Sequence, residues 1–149
     1  MFKEYVEKIN SADLYDLVLK TPVNFASSLS KRLNNTIFVK REDLQPIFSF
    51  KLRGAYNKLK NLSKNELAKG VIAASAGNHA QGVALAAQKL KSKAVIVMPV
   101  TTPKIKVDAV RSKATVILHG DTYDEASDFA QHLAQERGYI YIHPFDDRD

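Results

Sequence analysis

The sequence predicts an α/β fold: a small parallel sheet of about four strands with helices on both faces, plus a partly helical N-terminal arm. Three observations carry this expectation. Short apolar runs recur at residues 71–74, 94–98, 115–118 and 139–142. Helical stripes fill the intervals between them, and strand starts about 20 to 25 residues apart are the spacing of βαβ units. The runs are apolar on both faces, as in strands of a parallel sheet covered by helices on each side.

The elements follow in order. Residues 2–19 read as one or two helices; Ser11 is placed to cap the second, with Leu14, Leu17 and Val18 as its apolar residues. Thr21-Pro22 ends that segment, because proline disfavours helical geometry in the residue before it. Phe25, Leu29 and Leu33 suggest a short helix and Asn34-Asn35 a turn. The β-branched and aromatic residues at 36–40 predict a strand. Leu52, Ala55, Tyr56, Leu59 and Leu62 recur at helical spacing, with Ser49 as the expected cap. Ser63 with Glu66 forms a capping box for a short helix closed by Gly70. Further on, Ala80, Val83, Ala84 and Ala87 make one helical stripe. Thr102 is expected to cap the next helix, with Pro103 at its first position. Thr122 and Glu125 make a second capping box, and Ala126, Phe129, Ala130 and Leu133 follow inside that helix.

Composition narrows the function classes. The 149 residues suffice for one domain with a sizeable core, and 45% hydrophobic against 26% charged is an ordinary globular balance. There is no cysteine, which rules out disulfides and thiolate metal sites and fits a reducing, cytoplasmic setting. No apolar run approaches the roughly 20 residues of a transmembrane helix, so no membrane partner is expected. Met1-Phe2-Lys3-Glu4 does not open like a signal peptide. The net charge is +6, but the basic residues are scattered without aromatic interleaving, so no nucleic-acid partner is expected either. His79, His119, His132 and His143 lack metal-ligand spacing, and no metal is expected.

Two stretches carry chemistry. In Ser49-Phe50-Lys51-Leu52-Arg53-Gly54-Ala55 a lysine stands among the first residues of a helix. The positive end of the helix dipole disfavours an ammonium there and favours the neutral amine that attacks a carbonyl. Taken alone, the same residues also fit a solvated lysine on a helix shoulder. In Ser75-Ala76-Gly77-Asn78-His79-Ala80-Gln81-Gly82 the chain leaves a buried strand and opens a helix. Ligands bind at the carboxyl ends of strands in open parallel sheets, and a helix N-terminus offers N–H groups to an anion. Gly77 lets a ligand approach the backbone, and Asn78 brings both a donor and an acceptor. Neither nucleotide-binding glycine fingerprint is present. These residues read as a pocket for a small carboxylate or phosphate beside a reactive lysine; an ordinary strand–turn–helix junction is the other reading.

Together the two motifs resemble the fold-type II pyridoxal-phosphate enzymes, and within them the serine/threonine dehydratases. Lys40-Arg41-Glu42-Asp43-Leu44-Gln45-Pro46-Ile47-Phe48 resembles the biosynthetic threonine dehydratases more closely than the catabolic ones, and the stretches at 98–108 and 119–121 agree. The resemblance covers nearly the whole chain. It implies pyridoxal 5'-phosphate as cofactor, L-threonine as substrate with L-serine as a second one, and a homo-oligomer at full length. It implies that Lys51 bonds to the cofactor aldehyde and then serves as base at Cα. Phe50 would line the cofactor's surroundings, and Asn78 would bond its ring hydroxyl. Ser75, Gly77, Asn78 and His79 would hold the substrate carboxylate. Serine racemases of this fold carry a serine where this chain has Ala76, and alanine cannot move a proton, so elimination is expected rather than racemisation.

The resemblance also implies a division of the chain. Residues 1–48 would be an N-terminal arm that packs on a larger domain. Residues 49–149 would be the cofactor-lysine segment and a small α/β domain. The glycine-rich loop that cradles the cofactor phosphate, the residue facing the ring nitrogen and the regulatory domain are expected beyond Asp149. The chain is therefore expected to be a truncated, inactive part of a threonine dehydratase. A non-catalytic fragment with a ligand-binding or subunit-contact role, and another dehydratase or racemase of the same fold, are the alternatives.

Overall fold

The computed structural model describes residues 2–147. The strongest local signals are the capping boxes, and both form. Ser63 and Glu66 close the start of one helix reciprocally, as do Thr122 and Glu125 at another. The elements are α1 (Phe2–Ser11), β1 (Val23–Phe25), α2 (Ser27–Leu33), β2 (Phe38–Lys40), a 3-10 turn (Glu42–Leu44), α3 (Lys51–Lys60), α4 (Lys64–Lys69), β3 (Val71–Ala74), α5 (Asn78–Lys89), β4 (Ala94–Met98), α6 (Lys104–Arg111), β5 (Thr115–Leu118), α7 (Tyr123–Arg137) and β6 (Ile140–Tyr141).

The expected parallel sheet is present. Its order is β5-β4-β3-β6, and every pairing is parallel. Side chains alternate across it, as the two-residue period of a strand requires. Val71, Ala73, Ile96 and Met98 face α3, α5 and α6 through Leu52, Tyr56, Leu59, Val83, Ala84, Val107 and Val110. Ile72, Ala74, Val95 and Val97 face α7 through Ala126, Ala130 and Ala134. The helices thus cover both faces, and β3 and β4 are buried along their whole length.

The arm differs from expectation in detail. No second helix follows Ser11; residues 14–18 form a turn closed by Val18 N–H donating to Leu14 O at 2.9 Å. Leu14, Leu17 and Val18 still serve as apolar anchors, packed with the α3 side of the core. Phe25 belongs to a strand rather than to a helix. β1 pairs antiparallel with β2, and the Phe25 and Phe38 rings stand 5.6 Å apart. Strand β2 starts only at Phe38, because Ile37 ends the loop by donating its N–H to Ser30 Oγ. All residues of α1, β1 and β2 lie outside the core. Thr102 does not cap α6. Pro103 occupies the cap position, and Thr102 Oγ1 is a buried hydroxyl with no hydrogen-bond partner among the described residues.

Candidate functional site

Helix α3 begins with Lys51 itself. Phe50 takes the cap position in helical geometry, not Ser49, and makes no side-chain cap bond. The Ser49 hydroxyl sits one residue further out and accepts the Lys51 N–H at 3.3 Å. Immediately upstream, Phe48 adopts a left-handed backbone with φ 57° and donates its N–H to Gln45 O at 2.7 Å. That reversal turns the chain into α3. It places Phe48 and Phe50 in solvent, at 79% and 60% exposure, and Leu52 fully inside.

A carboxylate fixes the first turn of α3 from outside. Glu42 accepts from Arg53 Nε at 2.8 Å and from its second nitrogen at 2.9 Å, and also from Thr21 and Gln45. The Arg53 guanidinium holds the Glu42 carboxyl at about 2, against the opposing effect of burial. Gln45 is buried, and its amide pairs with both the N–H and the carbonyl of Leu19. Residues 19–21, the 3-10 turn and α3 are joined into one unit in this way.

Strand β3 delivers the second stretch. Ser75 N–H continues the ladder to Val97 O, and Ser75 Oγ then accepts the Gly77 N–H at 3.2 Å. Helix α5 starts at Asn78, and its first amides have no acceptor within the helix. At Gly77 an added Cβ would meet nothing within 4 Å, so the space before this turn is open. α5 runs against α3 at close range, since a Cβ on Gly82 would stand 3.2 Å from Lys51 O. The starts of the two helices therefore lie side by side.

The side chain of Lys51 reaches the far end of the chain. Its Nζ donates to Pro144 O at 2.8 Å and lies 5.7 Å from the Phe50 ring centroid. Residues 142–147 form a strap after β6. His143 Nδ1 accepts from the N–H groups of Phe145 and Asp146, and Lys58 pairs with Asp147 at 3.0 Å. An open cavity of about 350 Å³ lies between α3 and this strap, lined among others by Phe50, Lys51, His79 and Pro144. Ser75, Gly77 and Asn78 lie outside its lining, on the adjoining β3–α5 turn.

His79 is placed differently from Asn78. Its imidazole is buried, with Nε2 3.1 Å from Ile142 O. Burial pushes its pKa down, and the charges of Lys51 and His143 add to this. The side chain is committed to the strap. Sequence reasoning did not place residues 142–147 against Lys51, nor pair Glu42 with Arg53. The Arg53 and Glu42 signal was present as opposite charges flanking the lysine, but nothing local says that they meet.

A parallel sheet with a glycine-containing turn at the carboxyl end of a central strand, beside a lysine that opens a neighbouring helix, has the arrangement at which open α/β domains bind ligands. The model of the family described as "Pyridoxal-phosphate dependent enzyme" matches residues 14–149, and the chain belongs to that family. It is 56% identical over 147 residues to the biosynthetic, chloroplastic threonine dehydratase of Arabidopsis thaliana, covering 98% of this chain and 25% of that protein. The processed threonine deaminase isoform 2 of Solanum lycopersicum superposes with a TM-score of 0.93 at 54% identity, over 97% of this chain and 40% of that one. Maize serine racemase superposes with a TM-score of 0.89 at 31% identity, over 95% and 44%. The chain spans about a quarter of the length of the curated relatives it matches.

The residues present fit pyridoxal phosphate. An amine at a helix start lines a cavity, and the backbone at Gly77 is open on the side where a Cβ would stand. The amides that open α5 suit an anionic group. Among the described residues, no cluster of three or more potential metal ligands occurs, and no helix is long and apolar enough to cross a membrane.

Proposed function

We propose that this chain supplies the cofactor lysine and the carboxylate-binding turn of a pyridoxal-phosphate-dependent threonine ammonia-lyase, which converts L-threonine to 2-oxobutanoate and ammonia. The observation that carries the reading is the packing of α5 on α3 through Gly82, which sets the Lys51 end of one helix beside the Asn78 end of the other. Lys51 would hold the cofactor, Phe50 would flank it and Asn78 would bond its ring. The bound cofactor supplies an electron sink for the charge left at Cα. Ser75, Gly77, Asn78 and the His79 backbone would fix the substrate carboxylate. Lys51 Nζ, as the neutral amine, would take the Cα proton; the Cβ hydroxyl would leave with a proton as water, and the unsaturated amine left behind would take up water to give 2-oxobutanoate and ammonia. Ala76 offers no group to return a proton from the opposite face, which favours elimination over racemisation.

Residues 1–48 are read as an arm whose exposed apolar residues pack on a larger domain, and residues 49–149 as the lysine segment and small domain. The exposed α1 and the exposed strands β1 and β2 support an outward-facing arm, while Val18 and Ile47 anchor it to the core beside α3. L-serine as a second substrate, homo-oligomerisation of the whole protein and a cytoplasmic setting complete the proposal. A second reading, that the chain by itself only binds ligand or contacts other subunits, is favoured by the exposed apolar residues Phe2, Ile9, Phe25 and Phe38. An assay of 2-oxobutanoate release from L-threonine, on this chain alone and on the whole gene product that carries it, separates the two. Turnover by the whole product that is lost on Lys51→Ala, with none by the 149 residues alone, supports the proposal. A whole product that binds pyridoxal phosphate but releases no 2-oxobutanoate refutes the substrate.

A further inference from the structure

We infer that His79 is a positioning residue for Lys51, acting through the backbone of residues 142–144. Strand β6 makes its last ladder bond at Ile142, whose N–H donates to Ile72 O at 2.8 Å. The strap then leaves the sheet. The next holds on it are His79 Nε2 at Ile142 O, 3.1 Å, and Lys51 Nζ at Pro144 O, 2.8 Å.

The chemistry of the first contact is fixed by its partner. A carbonyl oxygen only accepts, so Nε2 carries the hydrogen. The ring is only 6% exposed, and burial favours its neutral form, which leaves Nδ1 bare. Ile142 O is therefore held by a donor rooted in the second residue of α5, itself packed on the core.

Between Ile142 and the lysine's acceptor the chain has little freedom. Pro144 has a fixed φ and restricts His143 before it to extended geometry. After Pro144, the His143 ring closes the turn by accepting from Phe145 and Asp146. Fixing the Ile142 carbonyl thus fixes where the Pro144 carbonyl stands, and Lys51 Nζ rests on that oxygen. His79 touches neither the amine nor the cavity's reacting groups directly through this bond; it sets the place of the acceptor. The functional consequence rests on Lys51 being the cofactor lysine, for which a held amine shortens the search for an attack geometry.

Competitive acetylation with trace acetic anhydride, read by mass spectrometry, tests this on the chain without any cofactor. The exposed Lys64 serves as internal reference. Lys51 should react more slowly than Lys64 in the parent. In His79→Phe, which keeps a ring but removes the donor, its relative rate should rise severalfold, the scale of one net hydrogen bond. His79→Gln, which restores an N–H, should return it towards the parent value. A cooperatively melting His79→Phe with an unchanged Lys51 rate, or a Gln variant that behaves like Phe, overturns the inference. If His79→Phe does not fold, nitrogen-15 NMR of the parent decides: a protonated Nε2 supports the inference and a bare Nε2 overturns it. Loss of the functional reading would show separately, as failure of the whole gene product to attach pyridoxal phosphate at Lys51.

Discussion

Gly82 lies against Lys51 so closely that a Cβ on the glycine would stand 3.2 Å from the lysine's carbonyl oxygen and 3.3 Å from Ala55 Cβ. The obstacle is backbone in a helix whose other face is buried in the core, so it cannot swing aside as a flexible side chain would. Gly82→Val should therefore force α5 away from α3 and destabilise the fold by about 2 kcal/mol, the usual scale of core overpacking. Chemical denaturation measures it. A variant as stable as the parent would show that the two helices separate freely.

The ion pair beside the lysine gives a pH signature. The Glu42 carboxyl is depressed from 4.5 to about 2, chiefly by hydrogen bonds from Arg53. A depressed carboxyl contributes stability that is complete above its unfolded pKa and is lost as pH falls through the folded one. The site is partly exposed, so about 2 kcal/mol is a fair scale for it. Glu42→Gln should then be less stable than the parent at neutral pH, with the gap narrowing as the pH falls from about 4.5 towards 2. A gap that stays constant over that window would show that the charge on Glu42 is not what holds Arg53.

Phe48 stands at φ 57° with most of its ring in solvent. A left-handed backbone costs a side-chain-bearing residue about 1 kcal/mol, and little packing is lost on truncation here. Phe48→Gly should therefore raise the melting temperature of the isolated chain. A marked fall instead would mean that the ring makes contacts that outweigh the strain.

Position 76 bears on the reaction. In the whole gene product, Ala76→Ser adds a hydroxyl beside Ser75 on the turn before α5, a group that, on the proposed reaction, carries a proton where alanine carries none. D-serine formation from L-serine should become detectable relative to elimination. A folded, dehydratase-active variant that forms no D-serine would show that this residue alone does not select the outcome.

The legible parts were those encoded within a few residues. Ser63 with Glu66 and Thr122 with Glu125 close their own helices. The runs at 71–74 and 94–98 are apolar throughout because both faces are covered. Local pattern misled where one turn imitates a helix: Leu14, Leu17 and Val18 have helical spacing but need only the turn at 14–18 to reach the core. Phe25 fitted a helical stripe by spacing, yet its partner is Phe38 across an antiparallel pair of three-residue strands too short to show alternation. For the candidate site, Lys51 and the Ser75–Asn78 stretch stand out in the sequence by residue type and spacing. The contact from Lys51 to Pro144 spans 93 residues, and the His79 bond to Ile142 spans 63, so only the folded sheet brings them together.

The assignment of Lys51 stands or falls on where the cofactor attaches. The whole gene product, incubated with pyridoxal 5'-phosphate, reduced with borohydride and digested, should carry the pyridoxyl group at Lys51. Lys51→Ala should abolish that label, and Lys51→Arg should not rescue it, because a guanidinium remains protonated and cannot bond to the aldehyde carbon. A pyridoxyl group mapped reproducibly to another lysine, undiminished in Lys51→Ala, would contradict the assignment.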